Sequence, residues 1–392
     1  MLITKEDIQL KTYKYRLYPN KTQEELLKNT LIVCKNLYNI CLEEKIKAYK
    51  EDGKNLSAFD LNNKIKVFDI ENKENVHSQV LQNTVARLDN AFTQFFRRCK
   101  KGGDGEKVGF PRFKSFERYD SFCYPQHGFK ILDDQRHLKL SKIGSVKIKL
   151  HRNFDGKIKN VLVKKDSLGR WYACLVVDES RKIPIPKEIK SSIGLDLGCI
   201  DFVTTSDGNK IQHPKYYKKS EKELKKIQNK YSLLKMLPKE NKKKIKTKKK
   251  LSKLHTKIKN QRDDFLHKLS REFVHEFDLI CVEDLNIKKM VSGDNNYRNL
   301  NKSILDGGWR QFLDYLTYKA EEAGKTVMKV NPAYTSQICS ACGHMVNKDL
   351  SQRTHRCDKC GLVIDRDINA SRNILSLGTK LYNDKLLDAT IL

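Results

Sequence analysis

Ile193-Gly194-Leu195-Asp196-Leu197-Gly198-Cys199-Ile200-Asp201-Phe202-Val203-Thr204-Thr205 reads as a buried strand, a tight turn and a second strand. One carboxylate sits in the middle of the first strand. Asp196 has Leu195 and Leu197 on either side, and no cap explains it. An unpaired anion beside a buried run is very costly, so Asp196 needs a cation or strong donors. Two other acids stand in comparable places. Glu283 ends the apolar run Leu279-Ile280-Cys281-Val282, and Asp367 opens the last helical stretch. Taken singly, each could be a capping or hydrogen-bonded acid, and Asp367 suits an N-cap. Taken together, carboxylates converging from separated segments are what two Mg²⁺ ions need for phosphodiester hydrolysis.

A strand pair with the first acid, then a later strand and a helix with the others, suits a ribonuclease H-like fold. Between Glu283 and Asp367 lies a second chemical signature. Cys339-Ser340-Ala341-Cys342-Gly343 is followed, with fourteen residues between Cys342 and Cys357, by Cys357-Asp358-Lys359-Cys360-Gly361. Two C-x-x-C knuckles at this separation let four thiolates face one ion, and the glycine after each knuckle fits the turn required. Four unrelated buried cysteines are the alternative. Four thiolate ligands leave no open coordination position, so Zn²⁺ here is structural. The chemistry must lie elsewhere.

The chain has 392 residues, enough for two or three domains with proper cores. Its hydrophobic content of 39% excludes wholesale disorder. The formal net charge of +30 demands a polyanion, since self-repulsion on that scale destabilises a compact state. Nucleic acid fits better than a membrane surface, because the lysines spread along the whole chain. No run of about 18 apolar residues offers a membrane span, and the N-terminus has no signal-peptide core. Cys34, Cys41, Cys99, Cys123, Cys174, Cys199 and Cys281 lie singly and read as free thiols, which places the protein in the cytoplasm.

Residues 11–18 alternate apolar and basic, as a strand does; Pro19-Asn20 ends it, and Thr22 with Glu25 forms a capping box. The helix that follows carries Leu26, Thr30, Val33, Leu37 and Cys41 at helical spacing, and a second spans about 78–98. The second buries Leu81, Val85, Leu88, Phe92 and Phe95 and presents Gln79, Gln82, Asn83 and Arg87. Such a face is usually just solvated, but it can also read base edges. Short strands at 139–142, 146–150, 160–164 and 171–177 indicate a small barrel or sandwich, and a β-barrel is expected. Its first strand (residues 1–20) is set apart by a helical insertion (21–118) from the remainder (119–186), and Pro184-Ile185-Pro186 marks the boundary. Residues 187–330 hold the acid-bearing strands and a basic helical hairpin at about 215–276. Near its joint stand Lys242, Lys243, Lys244, Lys246, Lys248, Lys249 and Lys250. A lysine block is most often a solvated face, but on a hairpin with an apolar seam it favours phosphate contact. A polar loop precedes the helix that Gly324 stops. The cysteine module (331–362) interrupts the acid-bearing domain, whose last segment is 363–392, with little signal after Gly378. The whole is a multidomain α+β protein.

IGLDLG (193–198), ICVEDLN (280–286), YTSQICSACG (334–343), CDKCG (357–361) and DRDINASRNIL (365–375) together closely resemble the TnpB family of transposon-encoded proteins, relatives of the type V CRISPR nucleases. KYRLYPNKTQEELL, GFPRFKS, KIGSVKIKLHR and QRDDFLHKLSREF extend the resemblance nearly end to end. It implies an RNA-guided DNA endonuclease with a RuvC-like site at Asp196, Glu283 and Asp367. The family's ligand is the acid before x-Asn-Ala, which leaves Asp365 as the runner-up; Asp284 would support the ligands. The interrupted barrel would be a wedge domain and its insertion a recognition lobe, and the zinc ribbon would help load DNA. The implied partners are a guide RNA and double-stranded target DNA, with no membrane and no protein partner required. Base pairing would then carry specificity while protein contacts hold the heteroduplex. A guided binder that does not cut, or a transposase that joins strands, are the other classes. The intact acids speak against the first.

Overall fold

The computed structural model describes residues 10–101, 108–179, 189–238, 240–292, 298–349 and 352–391. The glycine-rich segment 102–107 and the Pro184-Ile185-Pro186 boundary lie outside them. Two compact units divide the chain, Met1–Lys182 and Ile183–Leu392.

In the first unit, strand β1 (Leu10–Tyr18) buries Tyr13, Tyr15 and Leu17 and turns Lys14 outward, following its alternation. Helix α1 (Lys21–Asp52) starts earlier than the Thr22/Glu25 box predicts. Asn20 is the N-cap, accepting from the Gln23 backbone N–H, while the Gln23 side chain accepts from Asn20. α2 (Ala58–Lys64) and α3 (Ser78–Lys101) complete the helical insertion. Strands β2 (Ser121–Tyr124), β3 (Phe129–Ile131), β4 (His137–Leu140), β5 (Gly144–Lys149), β6 (Lys157–Lys165) and β7 (Trp171–Asp178) follow. The antiparallel sheet runs β2-β6-β7-β1-β5-β4-β3, so β1 sits at its centre, paired with β5 and β7. Among the described residues no ladder joins β2 to β3, so the sheet is nearly closed, not a complete barrel. Trp171, Tyr15, Phe122 and Tyr124 fill a core shared with Leu27, Leu31 and Leu37 of α1 and Val85 of α3.

The second unit opens with β8 (Ser192–Leu197), β9 (Asp201–Thr205) and β10 (Lys210–Gln212), then the helical hairpin α4 (Tyr216–Leu233) and α5 (Lys242–Glu276). Leu224, Leu254 and Ile258 form the hairpin seam. After β11 (Leu279–Glu283), the stretch expected to be a polar loop contains two helices, α6 (Ile287–Val291) and α7 (Arg298–Gly307). α8 (Trp309–Ala323) ends at left-handed Gly324, and β12 (Thr326–Val330) leads to the short pair β13 (Thr354–Arg356) and β14 (Val363–Asp365). The last helix, α9 (Arg366–Ile391), begins one residue earlier than expected and runs on through Gly378.

The five strands lie in the order β10-β9-β8-β11-β12. β9 is antiparallel to both β10 and β8, and β8, β11 and β12 are parallel. The pleat gives this sheet two unlike faces. Ile193, Leu195, Leu197, Ile280 and Val282 face an apolar core with Leu266, Phe273, Phe312 and Leu316 of α5 and α8. The intervening positions Gly194, Asp196, Cys281 and Glu283 face the other way. There α9 packs closely, because two glycines make room for it. A Cβ on Gly194 would lie 2.1 Å from the Ser371 carbonyl oxygen, and one on Gly378 2.2 Å from Cys281 Sγ. The first clash is with helix backbone, which a rotamer change cannot relieve. Gly194→Ala is therefore expected to destabilise the second unit by about 1–3 kcal/mol. Denaturant unfolding checks it, and an unchanged midpoint would refute the account.

Candidate active site and cysteine centre

Strand register brings the first two acids together. Leu195 pairs with Val282 across the parallel β8–β11 ladder, so Asp196 and Glu283 are the next residues in register on neighbouring strands. Strands lie about 4.8 Å apart, and both side chains leave the sheet on the same side. α9 supplies the third acid. Asp196, Glu283 and Asp367 line one cavity of about 370 Å³, with Asp201, Trp309, Thr335, Arg353, Arg366 and others around it.

The electrostatics of this cavity are those of a site short of positive charge. Burial pushes the Asp196 carboxyl up to about 8, and repulsion from Glu283 and Asp367 adds to the shift while Arg366 opposes it. Burial also raises Glu283, offset in part by the Thr335 hydroxyl, which donates to Oε1 at 2.6 Å. Asp367 is held by two arginines: Arg366 Nη2 lies 3.1 Å from Oδ1, and Arg353 Nη1 lies 3.6 Å from Oδ2. The carboxylate oxygens do not all come within 4.8 Å of one another; among the described residues that closeness belongs to four cysteines alone. The three carboxylates could hold divalent cations, with Asp367 held back by its arginines.

Asp365 is placed differently. Its Oδ1 accepts the backbone N–H of Asp367 (2.9 Å) and Ile368 (3.2 Å), and its Oδ2 accepts from Lys210 Nζ at 2.7 Å. Asp365 is thus the cap of α9, and Asp367, for which capping is the alternative to a ligand role, lies inside the first turn. Burial works against the Asp365 anion, but Lys210 and these N–H groups keep its carboxyl below the usual range. Asp284 is exposed and does not line the cavity.

Cys339, Cys342, Cys357 and Cys360 bring all four Sγ atoms within 4.8 Å of one another. The 339–360 and 342–357 pairs are each 3.6 Å apart. Zn–S bonds of about 2.3 Å in a tetrahedron imply S···S edges of about 3.8 Å, so the thiolates fit that ion. Each knuckle closes as its glycine N–H bonds back to the first cysteine: Gly343 to Cys339 and Gly361 to Cys357, both 2.9 Å. Both glycines are left-handed, at φ 72° and 76°. The seven cysteines outside this cluster are free thiols, and Cys99 among them is exposed.

The residues singled out for nucleic-acid contact divide in two. Gln79 accepts the His127 backbone N–H, Asn83 accepts from Arg87 Nε, and Arg87 Nη1 donates to the Ser121 carbonyl. These three have work inside the fold, and Gln82 faces solvent. Lys244 Nζ donates to the carbonyls of Lys235 and Leu237, tying the hairpin joint. Lys242, Lys243, Lys248, Lys249 and Lys250 are exposed. Lys242 and Lys243 open α5, and the other three stand beyond its first turn.

Three family models match: "Helix-turn-helix domain" over 9–54, "Probable transposase" over 174–293 and "Cas12f1-like, TNB domain" over 309–374. The first of these segments is β1 and one continuous helix in this structure. A "Putative RNA-guided DNA endonuclease InsQ" of Escherichia coli is 31% identical, covering 94% of this chain and 92% of its own. The chain belongs to the TnpB/OrfB_IS605 family. Another relative in the comparison, a "Putative RNA-guided DNA endonuclease" of Streptomyces pristinaespiralis, is 29% identical over 94% of this chain and 89% of its own. At the level of fold, this TnpB-family chain is similar to the "mini-RNA-guided endonuclease CRISPR-Cas_phi3" (TM-score 0.53, 10% identity, 95% and 93% coverage). No described helix is long and apolar enough to cross a membrane.

Sequence reading missed three residues of this site. In sequence Thr335 reads only as part of a turn-rich segment, and Asn369 and Asn373 only as members of the DRDINASRNIL motif. For Asn369 and Asn373 the signal is polarity at positions that helical spacing makes buried, 0% and 8% exposed; Thr335, 4% exposed, lies in a turn and carries no such signal.

Proposed function

We propose that the chain is an RNA-guided DNA endonuclease with a RuvC-type site on a ribonuclease H-like sheet. The observation that carries this reading is the meeting of Asp196, Glu283 and Asp367 in one cavity, in a chain of this family. The strand order, three antiparallel strands continued by two parallel ones, supports the ribonuclease H-like assignment. Asp196, Glu283 and Asp367 would hold two Mg²⁺ ions, which supply an activated water and stabilise the leaving oxygen. The chain's own groups do the rest. The three carboxylates line the cavity that would take those ions. Arg353 and Arg366 keep Asp367 in place and offset the acidic charge, so that an anionic phosphodiester can enter. Trp309 and Leu197 form its apolar wall. The four cysteines would bind structural Zn²⁺.

A guide RNA would pair with one DNA strand, while lysines and arginines of both units bind the backbones; exchange of strands is near balance energetically, so these contacts tip it. In this reading the first unit is the wedge domain with its helical recognition insertion. The test is to purify the protein with its co-purifying RNA, sequence that RNA, and offer duplex DNA bearing the complement of its guide. Cutting that requires both the RNA and Mg²⁺ is the expected result. Joined strands formed without RNA would overturn it in favour of a transposase, and guided binding without cutting in favour of a regulator.

A further inference from the structure

We propose that Thr335, at the root of the first cysteine knuckle, is a positioning residue that sets the Glu283 carboxylate for metal binding. The inference rests on the nuclease reading above and adds to it a role for the cysteine module. Thr335 Oγ1 donates to Glu283 Oε1 at 2.6 Å, and Thr335 is 4% exposed, so the contact is shielded from water. The knuckle itself is strapped to α9. Asn373 Nδ2 donates to the carbonyls of Thr335 (2.8 Å) and Ile338 (2.7 Å). Asn369 Nδ2 donates to the same Ile338 carbonyl at 2.7 Å, and its Oδ1 accepts the Ser340 N–H at 2.9 Å.

These bonds form a continuous path. Glu283 belongs to β11, Thr335 and Ser340 to the knuckle, and Asn369 and Asn373 to the helix that carries Asp367 two residues before Asn369. The knuckle therefore fixes the acid on the sheet with respect to the acid on the helix. A thiolate cluster needed only to fold its own hairpin has no use for two buried asparagines aimed at its backbone, nor for a hydroxyl on a carboxylate beyond it. Groups that orient a ligand from behind are worth roughly 10–100-fold in metal affinity or activity.

The experiment uses the full chain with its RNA and Mn²⁺ as the probe, counted by electron paramagnetic resonance. Thr335→Val removes the hydroxyl at nearly constant volume. It should keep one zinc per chain, while the Mn²⁺ concentration for half-saturation of the acid site rises about tenfold. Thr335→Ser restores the donor and should bind within about twofold of the parent. Asn373→Ala, which loosens the strap without touching Glu283, should shift half-saturation in the same direction. Normal Mn²⁺ binding by Thr335→Val, or failure of the serine to restore it, overturns the proposal while leaving the nuclease reading intact. If the parent protein binds no Mn²⁺ that Glu283→Gln abolishes, both fall together.

Discussion

Asp196→Asn is expected to abolish DNA cutting and, in the same preparation, to stabilise the metal-free protein. The two effects share one cause. A carboxylate on an inner strand position, facing Glu283 and Asp367, is held there against burial and repulsion, which is why its carboxyl is pushed up to about 8. Metal-ion catalysis supplies several kcal/mol of transition-state stabilisation, and each 1.36 kcal/mol is tenfold, so losing a ligand should cost at least about 10³-fold in rate. Stability runs the other way. An unfolded aspartate loses its proton near pH 3.9, roughly, while the folded one keeps it to about 8. Between those values the folded state holds the extra proton, so metal-free stability falls as pH rises through that window. Asparagine removes that slope and the penalty above it. At pH 8 in a chelator the variant should melt a few degrees higher, at about 2–4 °C per kcal/mol for a unit of this size. Added Mg²⁺ should raise the melting temperature of the parent and not of the variant. A variant that cuts at the parental rate, or that melts lower in chelator with its slope unchanged, would sink the account.

What was legible in the text was whatever strand alternation or ligand spacing dictates. The acids at 196 and 283 stand out because each interrupts or ends a run of apolar residues that must be buried. Two C-x-x-C knuckles leave little choice of geometry. What was not legible depended on packing between distant segments. Gly378 reads as a helix breaker, yet it lies within α9 because Cys281 leaves no room for a larger residue. Asp365 and Asp367 are both acids at the start of α9, and only the backbone N–H groups that Asp365 accepts separate the cap from the cavity-lining acid. The Thr22/Glu25 box and the Asn20/Gln23 box overlap, and the chain uses the one that begins directly after Pro19. Gln79, Asn83 and Arg87 form a plausible reading surface until the partners of their side chains are known.

Cys339→Ala should have the largest effect on stability of any single change outside the acids. Structural zinc in small modules of this type contributes about 10–16 kcal/mol of apparent binding energy near neutral pH, more than the total stability of most domains. Cys339 is 1% exposed, so no solvent-held ligand can substitute for it. The strands that close this module are three residues each, too short to hold it without the metal. The damage should be local at first. The sheet bearing Asp196 has its own core under α5 and α8, so far-ultraviolet circular dichroism should change little while zinc content falls toward zero. Cutting should nonetheless fall by at least about 10²-fold, because the residues that unravel include Thr335 and the backbone that Asn369 and Asn373 hold. Cys342→Ala, at the exposed side of the cluster, should be milder, since a water or a neighbouring group can complete three remaining thiolates. Zinc measured by emission spectroscopy beside single-turnover cutting tests the chain of causes. Full cutting by a zinc-free Cys339→Ala protein would show that the module and the acids are independent, contrary to the bonds that join them.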